Sequence, residues 1–319
     1  MRSRVLGLGW LAAAALLAGP AYSATVTATP ETINDVIAAT KPGDVVVLDG
    51  NFQSGVLIRN KTWATPVTIR AEKALVSGMR LERVDGVRLI GGTYQSNPTG
   101  EGRFGALYVF QSKNVAIEGV EVHKAPLRFH ASQNVKLLNS TMDAQGNAVT
   151  LIAVDGAEIK GNKFLNMGID GLDLFSVRNA VVSHNLCAGT KRLGGAHVDC
   201  IQIANHKRHF KSENIEISYN NVTGDTMGIS AFGGEYRNID IHHNTLTTSF
   251  HNGISLFDTV GGRIWNNTLQ PIPGSQFGPG IRTDRSVDPA RCGNVIKGVR
   301  GGQIKDKKCP PEMQASAQR

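Results

Sequence analysis

The stretch NIEISYNNVT at 214–223 is followed by a close copy, NIDIHHNTLT, at 238–247. Each copy is a short aliphatic alternation that ends in Asn, with a second apolar position two residues after it. The same pattern recurs in AEIKGNKFLN (157–166), NAVVSHNLCA (179–188) and GRIWNNTLQ (262–270), and more weakly in NVAIEGVEV (114–122) and NVKLLNSTM (134–142). The shared residues are Asn162, Asn185, Asn220, Asn244 and Asn267, at successive intervals of 23, 35, 24 and 23.

A period in the low twenties, built from β-branched alternations and Gly or Asn corners, indicates a solenoid with one coil per repeat. One coil cannot bury its own apolar face, so stacked coils must share one continuous core. We expect each repeated Asn to adopt the left-handed conformation at a corner and to hydrogen-bond the same amide one coil away. Leucine-rich repeats share the period but require regular Leu and a helix-compatible second half, which this chain lacks.

A second set of strands aligns coil by coil, from GALYVF at 105–110 to PGIRTD at 279–284. Two apolar columns flank one polar column, and neighbouring coils of a parallel sheet stack about 4.8 Å apart. We expect this column to face solvent. Ladders of Ser and Thr are ordinary on solenoids, whereas bulky amide, aromatic and ionic groups on one face suit an extended glycan. The column comprises Tyr108, Arg128, Thr150, Asp173, Gln202, Ser230, Ser255 and Arg282.

These repeats resemble the right-handed parallel β-helix family that includes pectate-lyase-like polysaccharide lyases, uronan epimerases and related glycan-active proteins. The resemblance covers essentially the whole chain after its leader and implies an all-β, single-stranded right-handed parallel β-helix with a short N-terminal capping helix. The stretch TPETINDVIAATKPGDVVVLDGNF (29–52) is similar to the N-terminal cap of alginate and chondroitin lyases of this fold. We expect Thr29 to cap a short helix with Pro30 at its first position, followed by a strand at 45–48.

The leader at 1–23 predicts export. Two arginines precede an apolar run from 5 to 18, and small residues precede a cleavage position near Ser23 and Ala24, which is typical of a secretory signal peptide. The chain is therefore expected to be secreted or periplasmic, with no membrane span and as a monomer. Residues 24–319 would form the β-helix domain, with an N-terminal cap at 24–52 and a C-terminal cap or tail from about 287 to 319.

The charge balance points to an acidic partner. The formal net charge is +8, or about +6 without the two leader arginines. Such a surplus also serves solubility, but in an exported protein without a nucleic-acid motif an anionic polysaccharide such as a uronate polymer is the better fit.

The four cysteines favour disulfides in an oxidising compartment. Cys292 and Cys309 flank a basic segment and predict a staple for the terminal cap, and Cys200 is placed where it can pair with Cys187. No Cys or Cys/His zinc spacing occurs.

Three acidic residues fall on two adjacent coils, with Asp170 and Asp173 on one and Asp199 on the next. Their mutual repulsion would raise at least one pKa, and either a bound Ca²⁺ or pairing with nearby Lys and Arg would relieve it. Strand alternation places Asp170 and Asp199 on the side opposite to Asp173 and Gln202, unless a corner intervenes.

The interval from Asn185 to Asn220 carries about twelve extra residues. Solenoids accommodate insertions at turns, where they overhang the binding face. We expect AGTKRLGGAH (188–197) to form a loop beside the acidic residues, with NHKRHFKSEN (205–214) after the next strand.

The resemblance implies uronate chemistry, in which the C5 proton is removed and the C4 oxygen is then expelled by a lyase, or C5 is reprotonated by an epimerase. Arg282, Arg128, Gln202 or Ca²⁺ could neutralise the C6 carboxylate. His197 or Lys207 could be the base, and Tyr108, His209 or His130 the acid.

The segment HVDCIQ at 197–202 is similar to a phrase in several β-helix glycan lyases, including some alginate lyases. The DPHD signature of mannuronan epimerases and the Lys/Arg motif of chondroitin-type lyases are absent. The sequence thus predicts a polysaccharide lyase. Alternatives are a C5-epimerase, a hydrolase that uses Asp173 with Asp170 or Asp199, and a non-catalytic glycan-binding protein. The predicted residues are His197, Lys207, Tyr108 and Arg282 for catalysis, Arg128, Asp173, Gln202, His209 and Arg192 for substrate binding, and Asp170, Asp173 and Asp199 for calcium.

Overall fold

The computed structural model describes residues 23–96, 105–190, 194–195, 197–287, 289–298 and 302–311. The chain forms a parallel β-solenoid of about 11 turns. No helix in the described ranges is long and apolar enough to cross a membrane. The predicted signal peptide lies almost wholly outside the described residues.

The described residues form one helix and 31 strands. The N-terminal part contains β1 Thr25–Ala28, α1 Ile33–Ala39, β2 Val45–Leu48, β3 Asn51–Phe52, β4 Val56–Arg70, β5 Leu75–Val76, β6 Met79–Ile90 and β7 Thr93–Gln95. The middle contains β8 Leu107–Phe110, β9 Lys113–Glu118, β10 Glu121–His123, β11 Leu127–His130, β12 Gln133–Leu138, β13 Thr141–Asp143, β14 Val149–Lys160, β15 Lys163–Leu165, β16 Leu172–Ser183 and β17 Leu186–Ala188. The remainder contains β18 Asp199–Ala204, β19 Glu213–Ser218, β20 Asn221–Gly224, β21 Met227–Ala231, β22 Tyr236–His242, β23 Thr245–Thr248, β24 Asn252–Leu256, β25 Thr259–Val260, β26 Arg263–Trp265, β27 Thr268–Pro271, β28 Gly280–Arg282, β29 Ala290–Cys292, β30 Val295–Lys297 and β31 Gln303–Lys305.

Each complete coil passes through three strand segments. The front sheet stacks β8, β11, β18, β21, β24 and β28 with the first halves of β4, β6, β14 and β16. A bend at a left-handed residue, such as Ala153 or Ser176, leads into the second sheet. The third sheet begins after the Asn corner and holds twelve strands from β3 to β31. One continuous core of aliphatic and aromatic side chains fills the interior, as stacked coils require.

The asparagine column is a buried hydrogen-bonded ladder, as its spacing predicts. Asn162 donates its side-chain amide to Asn185 at 3.0 Å, and the same contact repeats through Asn220, Asn244 and Asn267 to Asn294, each at 2.9–3.0 Å. Each Oδ1 also accepts a backbone N–H of the preceding coil. The ladder therefore satisfies corner groups that burial would otherwise leave unpaired.

The backbone conformation of the ladder differs from the expectation. None of the ladder asparagines has positive φ; the preceding residue carries it, as in His184 (57°), Tyr219 (56°) and His243 (55°). The chain reverses one residue earlier, and the Asn side chain then points inward. An outer ladder of Asn179, Asn214 and Asn238 does combine positive φ with amide-to-amide bonds.

The N-terminal end of the core is closed by α1, which buries Ile33 and Ile37. The helix begins at Ile33, so the expected start at Pro30 is wrong. Residues 29–32 form a turn in which the Thr29 carbonyl accepts the N–H groups of Thr32 and Ile33. The predicted strand at 45–48 is confirmed as β2.

At the other end, β29 and β30 still stack in parallel register, and β31 folds back antiparallel on β30. The predicted disulfide between Cys292 and Cys309 is present there.

Candidate functional site

The predicted polar column is in register through the whole front sheet. Pairing joins Tyr108 to Arg128, then Thr150, Asp173, Gln202, Ser230, Ser255 and Arg282. It also extends one coil earlier, to Arg80. We call these nine residues the front column.

The front column is only partly exposed, so the expectation of a uniformly solvent-facing column is wrong. Arg128 and Arg282 are exposed and Tyr108 and Gln202 are half-buried, whereas the short side chains of the column are buried, namely Thr150, Asp173, Ser230 and Ser255. At the coil spacing of about 4.8 Å, longer neighbours cover a short side chain between them.

A corner at the start of the front strands brings the acidic residues together. Gly171 forms this corner, and a Cβ there would lie 2.6 Å from the carbonyl oxygen of Cys200. Asp170 and Asp199 therefore lie on the same side as Asp173 and Gln202, not opposite to them as strict alternation would require. The amide of Gln202 donates to Asp199 at 3.1 Å, and Asp170 accepts the Asp199 backbone N–H at 2.8 Å.

Burial raises the pKa values of Asp170, Asp173 and Asp199, which we call the acidic cluster. Burial, reinforced by the charge of Asp170, raises the pKa of Asp173 to about 8. Burial and the same neighbour raise the pKa of Asp199 to about 6, and burial also raises the pKa of Asp170. Asp173 therefore keeps its proton at pH 7 and shares it with Asp170.

Neighbouring amide and hydroxyl groups donate hydrogen bonds to these carboxyls. Asp173 accepts hydrogen bonds from Asn147 and from Thr150, and Asp199 accepts one from Gln202. A calcium site would need ionised oxygens that converge on one point. Among the described residues no three His, Cys, Asp or Glu side chains are grouped to hold a metal ion. Calcium binding by these three residues stays a prediction, and no step proposed below uses a metal.

The insertion is divided between two turns of one coil. The chain advances seven residues from Leu165 to Leu172, but thirteen between their register partners Ala188 and Ile201. It advances three residues from Phe175 to Arg178, but nine from Ala204 to Glu213. Six extra residues therefore lie at each end of β18, so the insertion is shared between the predicted loop at 188–197 and the segment at 205–214. The predicted disulfide between Cys187 and Cys200 fixes the first turn to β18.

The second insertion, residues 205–212, folds back along the front face, and we call it the strap. The backbone N–H of His206 donates to Ser176 at 2.8 Å, and Asn205 accepts the N–H of Ser212 at 2.7 Å. Phe210 packs under the guanidinium of Arg178 at 4.5 Å. These contacts place His209 beside His130, three coils earlier, with ring centroids 6.2 Å apart.

Under the strap lies a Tyr–His pair flanked by arginines. The hydroxyl of Tyr108 and Nδ1 of His130 are 3.0 Å apart. Arg80 lies over the Tyr108 ring at 5.7 Å, and Arg128 is the register partner of Tyr108. Burial raises the pKa of Tyr108 and lowers that of His130, with His209 and His206 adding to the lowering. At neutral pH Tyr108 is therefore protonated and His130 is neutral.

The structure divides the predicted site residues among three places. Tyr108, Arg128 and His209 meet around His130. His197 is exposed and lowers the pKa values of Asp170 and Asp199 by its charge, so it belongs with Asp173 and Gln202. Arg282 lies seven coil steps from Tyr108, about 34 Å, and pairs with Asp284 at 2.6 Å. Lys207 is an exposed strap residue, and Arg192 lies outside the described residues.

Sequence reasoning missed two members of these clusters. Arg80 belongs to the front column, and Asn147 donates to Asp173. Counting the coil register one step toward the N-terminus would have found Arg80. Asn147 lies three residues before Thr150, as Asp170 does before Asp173, so the corner repeat would have found it.

Residues 77–246 match the family model described as right-handed beta helix region. The chain belongs to the right-handed β-helix family. No protein with a curated description matches the sequence.

Solved structures share the β-helix fold at low identity. The alginate lyase from Paenibacillus sp. str. FPU-7 is 16% identical with a TM-score of 0.58, over 82% of this chain and 99% of that one. A PL6 family alginate lyase, AlyGC, is 16% identical with a TM-score of 0.53, over 82% of this chain and 40% of that one. The DFA-IIIase from Arthrobacter chlorophenolicus A6 is 11% identical with a TM-score of 0.52, over 92% and 88%. These likenesses establish the shared fold.

Proposed function

We propose that this β-helix protein is an exported carbohydrate-active enzyme that cleaves an anionic, uronate-containing polysaccharide by β-elimination. The observation that carries the proposal is the Tyr108–His130 pair at 3.0 Å, flanked by Arg80 and Arg128 on consecutive coils of one face. Two of the solved structures that share the fold are alginate lyases by name, which supports the same substrate class.

Arg128 is the group best placed to bind a uronate carboxylate. It is exposed and has no ion-pair or hydrogen-bond partner within the described ranges. Neutralising the C6 carboxylate makes the C5 proton more acidic, and a guanidinium matches a carboxylate bidentately. The net charge of +8 favours approach of a polyanion.

The Tyr–His pair can supply both proton transfers. Neutral His130 accepts the C5 proton at Nε2, and the C5–H electron pair forms the C4=C5 double bond. The C4–O bond breaks, and the leaving oxygen takes the phenol proton of Tyr108. The Nδ1 proton of His130 then returns to the Tyr108 oxygen across their hydrogen bond. One proton has moved from C5 to the leaving oxygen, and exchange with solvent resets the imidazole tautomer.

Export is part of the proposal. Two cysteine pairs are bridged, which is typical of oxidising compartments, and the leader sequence has the composition of a signal peptide. Both features suit an enzyme that meets its polymer outside the cytoplasm.

The test is incubation of the purified protein with alginate, pectate and glycosaminoglycans, read as the ultraviolet absorbance of unsaturated uronates, with and without chelator. We expect absorbance to rise with at least one polymer and Tyr108→Phe to lower kcat by about 10²-fold or more. Absence of absorbance on every polymer would overturn the lyase assignment. Exchange of the C5 proton without cleavage, seen by NMR, would indicate an epimerase instead.

The acidic cluster favours a second candidate, a glycoside hydrolase. Asp173 and Asp199 have pKa values of about 8 and 6, and such a split assigns an acid and a base. Because Asp173 and Asp199 are 0% and 2% exposed, this centre is less accessible than the Tyr108–His130 pair. New reducing ends without ultraviolet absorbance, lost in Asp173→Asn and His197→Ala but kept in Tyr108→Phe, would establish it.

A further inference from the structure

The strap is an insertion in one coil whose His209 contacts a residue three coils away. Its two ends are held by Ser176 and by the Asn205–Ser212 contact, and Phe210 is packed against Arg178. The exposed middle carries His206, Lys207, Arg208 and His209. A loop anchored in this way holds its central side chains at a fixed place over the front sheet.

One strap histidine contacts the imidazole of His130, and a second packs behind it. The His209 ring lies edge-on to His130, with an interplanar angle of 83° and centroids 6.2 Å apart. His206 lies against His209 at 4.9 Å. On the other sides His130 meets Phe110 at 5.3 Å and the Tyr108 hydroxyl. The strap thus covers part of the His130 imidazole, which stays half-buried and not fully enclosed.

We propose that His209 is a positioning residue, which shields the imidazole of His130 and keeps it neutral and aligned with the Tyr108 hydroxyl. This inference rests on the proposed function for its catalytic meaning, but its physical content does not depend on any substrate. The charges that act on Tyr108, the hydrogen-bond partner of His130, are Arg80, Glu82 and Arg128 on the front sheet. The strap carries His206, Lys207 and Arg208 beside His209. His209 makes the ring contact with His130, and its charge acts on His130 more strongly than that of His206.

The pH dependence follows from this arrangement. Burial is the first cause of the lowered pKa of His130, and the charges of His209 and His206 come next. Removing the His209 ring reduces both effects, so the pKa of His130 rises. His130 then becomes protonated at a higher pH, and a protonated imidazole cannot accept the C5 proton.

The experiment is an NMR titration of histidine-labelled protein without substrate, for the parent, His209→Ala and His209→Phe. We expect the His130 midpoint to rise in His209→Ala and to rise less in His209→Phe, which keeps an aromatic ring at this place but has no titratable nitrogen. Lys211→Ala, an exposed strap change outside the site, should leave the midpoint unchanged. An unchanged midpoint in His209→Ala, or an equal shift in Lys211→Ala, would overturn the inference.

Activity gives a second readout that separates this inference from the proposed function. On a polymer that the parent cleaves, the acid limb of the kcat profile should move to higher pH in His209→Ala. The loss at pH 6 should be a few-fold, up to about fourfold if the pKa returns to the ordinary imidazole value near 6.5, with a smaller loss at pH 8. A uniform loss at all pH values would contradict the inference while leaving the lyase assignment intact. Failure of the parent to cleave any polymer would remove the lyase assignment, and the NMR result would still decide the role of His209.

Discussion

Asp173 is a buried acid whose ionisation is tied to folding. Its pKa in the folded chain is about 8, well above the usual value near 4. Between these values the unfolded chain loses the Asp173 proton and the folded chain keeps it. The contribution of Asp173 to stability is therefore fully present below about pH 4 and is lost progressively up to about pH 8.

We expect Asp173→Asn to flatten the dependence of stability on pH across this window. The amide has no proton to lose there, so the variant should gain in stability relative to the parent as the pH rises from 4 to 8. Urea unfolding at pH 4.5, 6 and 8 measures this difference, with Asp225→Asn as an exposed acidic control. An identical slope in parent and variant would show that Asp173 ionises normally.

At this scale the sequence predicts which residues share a column, because register follows from the repeat. It does not predict their burial or the meeting of Asp170 with Asp173. Those depend on the corner at Gly171, and strand alternation alone gives the opposite side. The Tyr108–His130 contact could not be predicted from the repeat either, since it joins residues of different columns on adjacent coils.

Among the elements of the fold, the buried asparagine ladder is the feature most easily tested. Asn220 accepts the side-chain amide and the backbone N–H of Asn185 and donates to the Val182 carbonyl. Replacing it by Ala leaves buried groups unpaired on both neighbouring coils, at about 1–3 kcal/mol for each.

We therefore expect Asn220→Ala to lower the free energy of unfolding by about 3 kcal/mol or more. The matched control is Asn214→Gly in the outer ladder, where glycine tolerates the positive φ and the lost amide bonds are exposed. That change should cost less than about 1 kcal/mol. Chemical denaturation of both variants provides the measurement, and equal costs would refute a special role for the inner ladder.

The repeat spacing predicts some boundaries of the secondary-structure elements and not others. The positions of the strands and of the ladder asparagines can be predicted from the period, because every repeat contains both the apolar alternation and the Asn. The insertion appears in the sequence only as a total between Asn185 and Asn220. The number of extra residues does not reveal that half of them precede β18 and half follow it, since Gly-rich and basic segments suit either turn. The start of α1 is ambiguous for a similar reason, because Thr29 and Thr32 are both acceptable capping residues.

For the whole molecule, the N-terminal cap keeps the end of a long apolar core away from water. Ile37 is 6% exposed and packs from α1 onto that core. An aspartate there would place a charge in the core or detach the helix, and the exposed end would favour association.

We expect Ile37→Asp to increase binding of a hydrophobic dye and to produce higher oligomers in light scattering, while most of the β-sheet circular dichroism is kept. Ala38→Asp introduces the same charge one residue later on the exposed side of α1 and should behave like the parent. A monomeric, dye-negative Ile37→Asp protein would mean that the core end does not need this helix.

The buried asparagine ladder makes the same amide hydrogen bond between each pair of neighbouring coils from Asn162 to Asn294. A further coil of the same length, inserted between two of its rungs, would present the same donors and acceptors above and below. Such a chain would gain about 4.8 Å of front sheet without a new kind of packing. The length of the front sheet is therefore adjustable in fixed increments, and gene duplication of a single coil would be enough to change it.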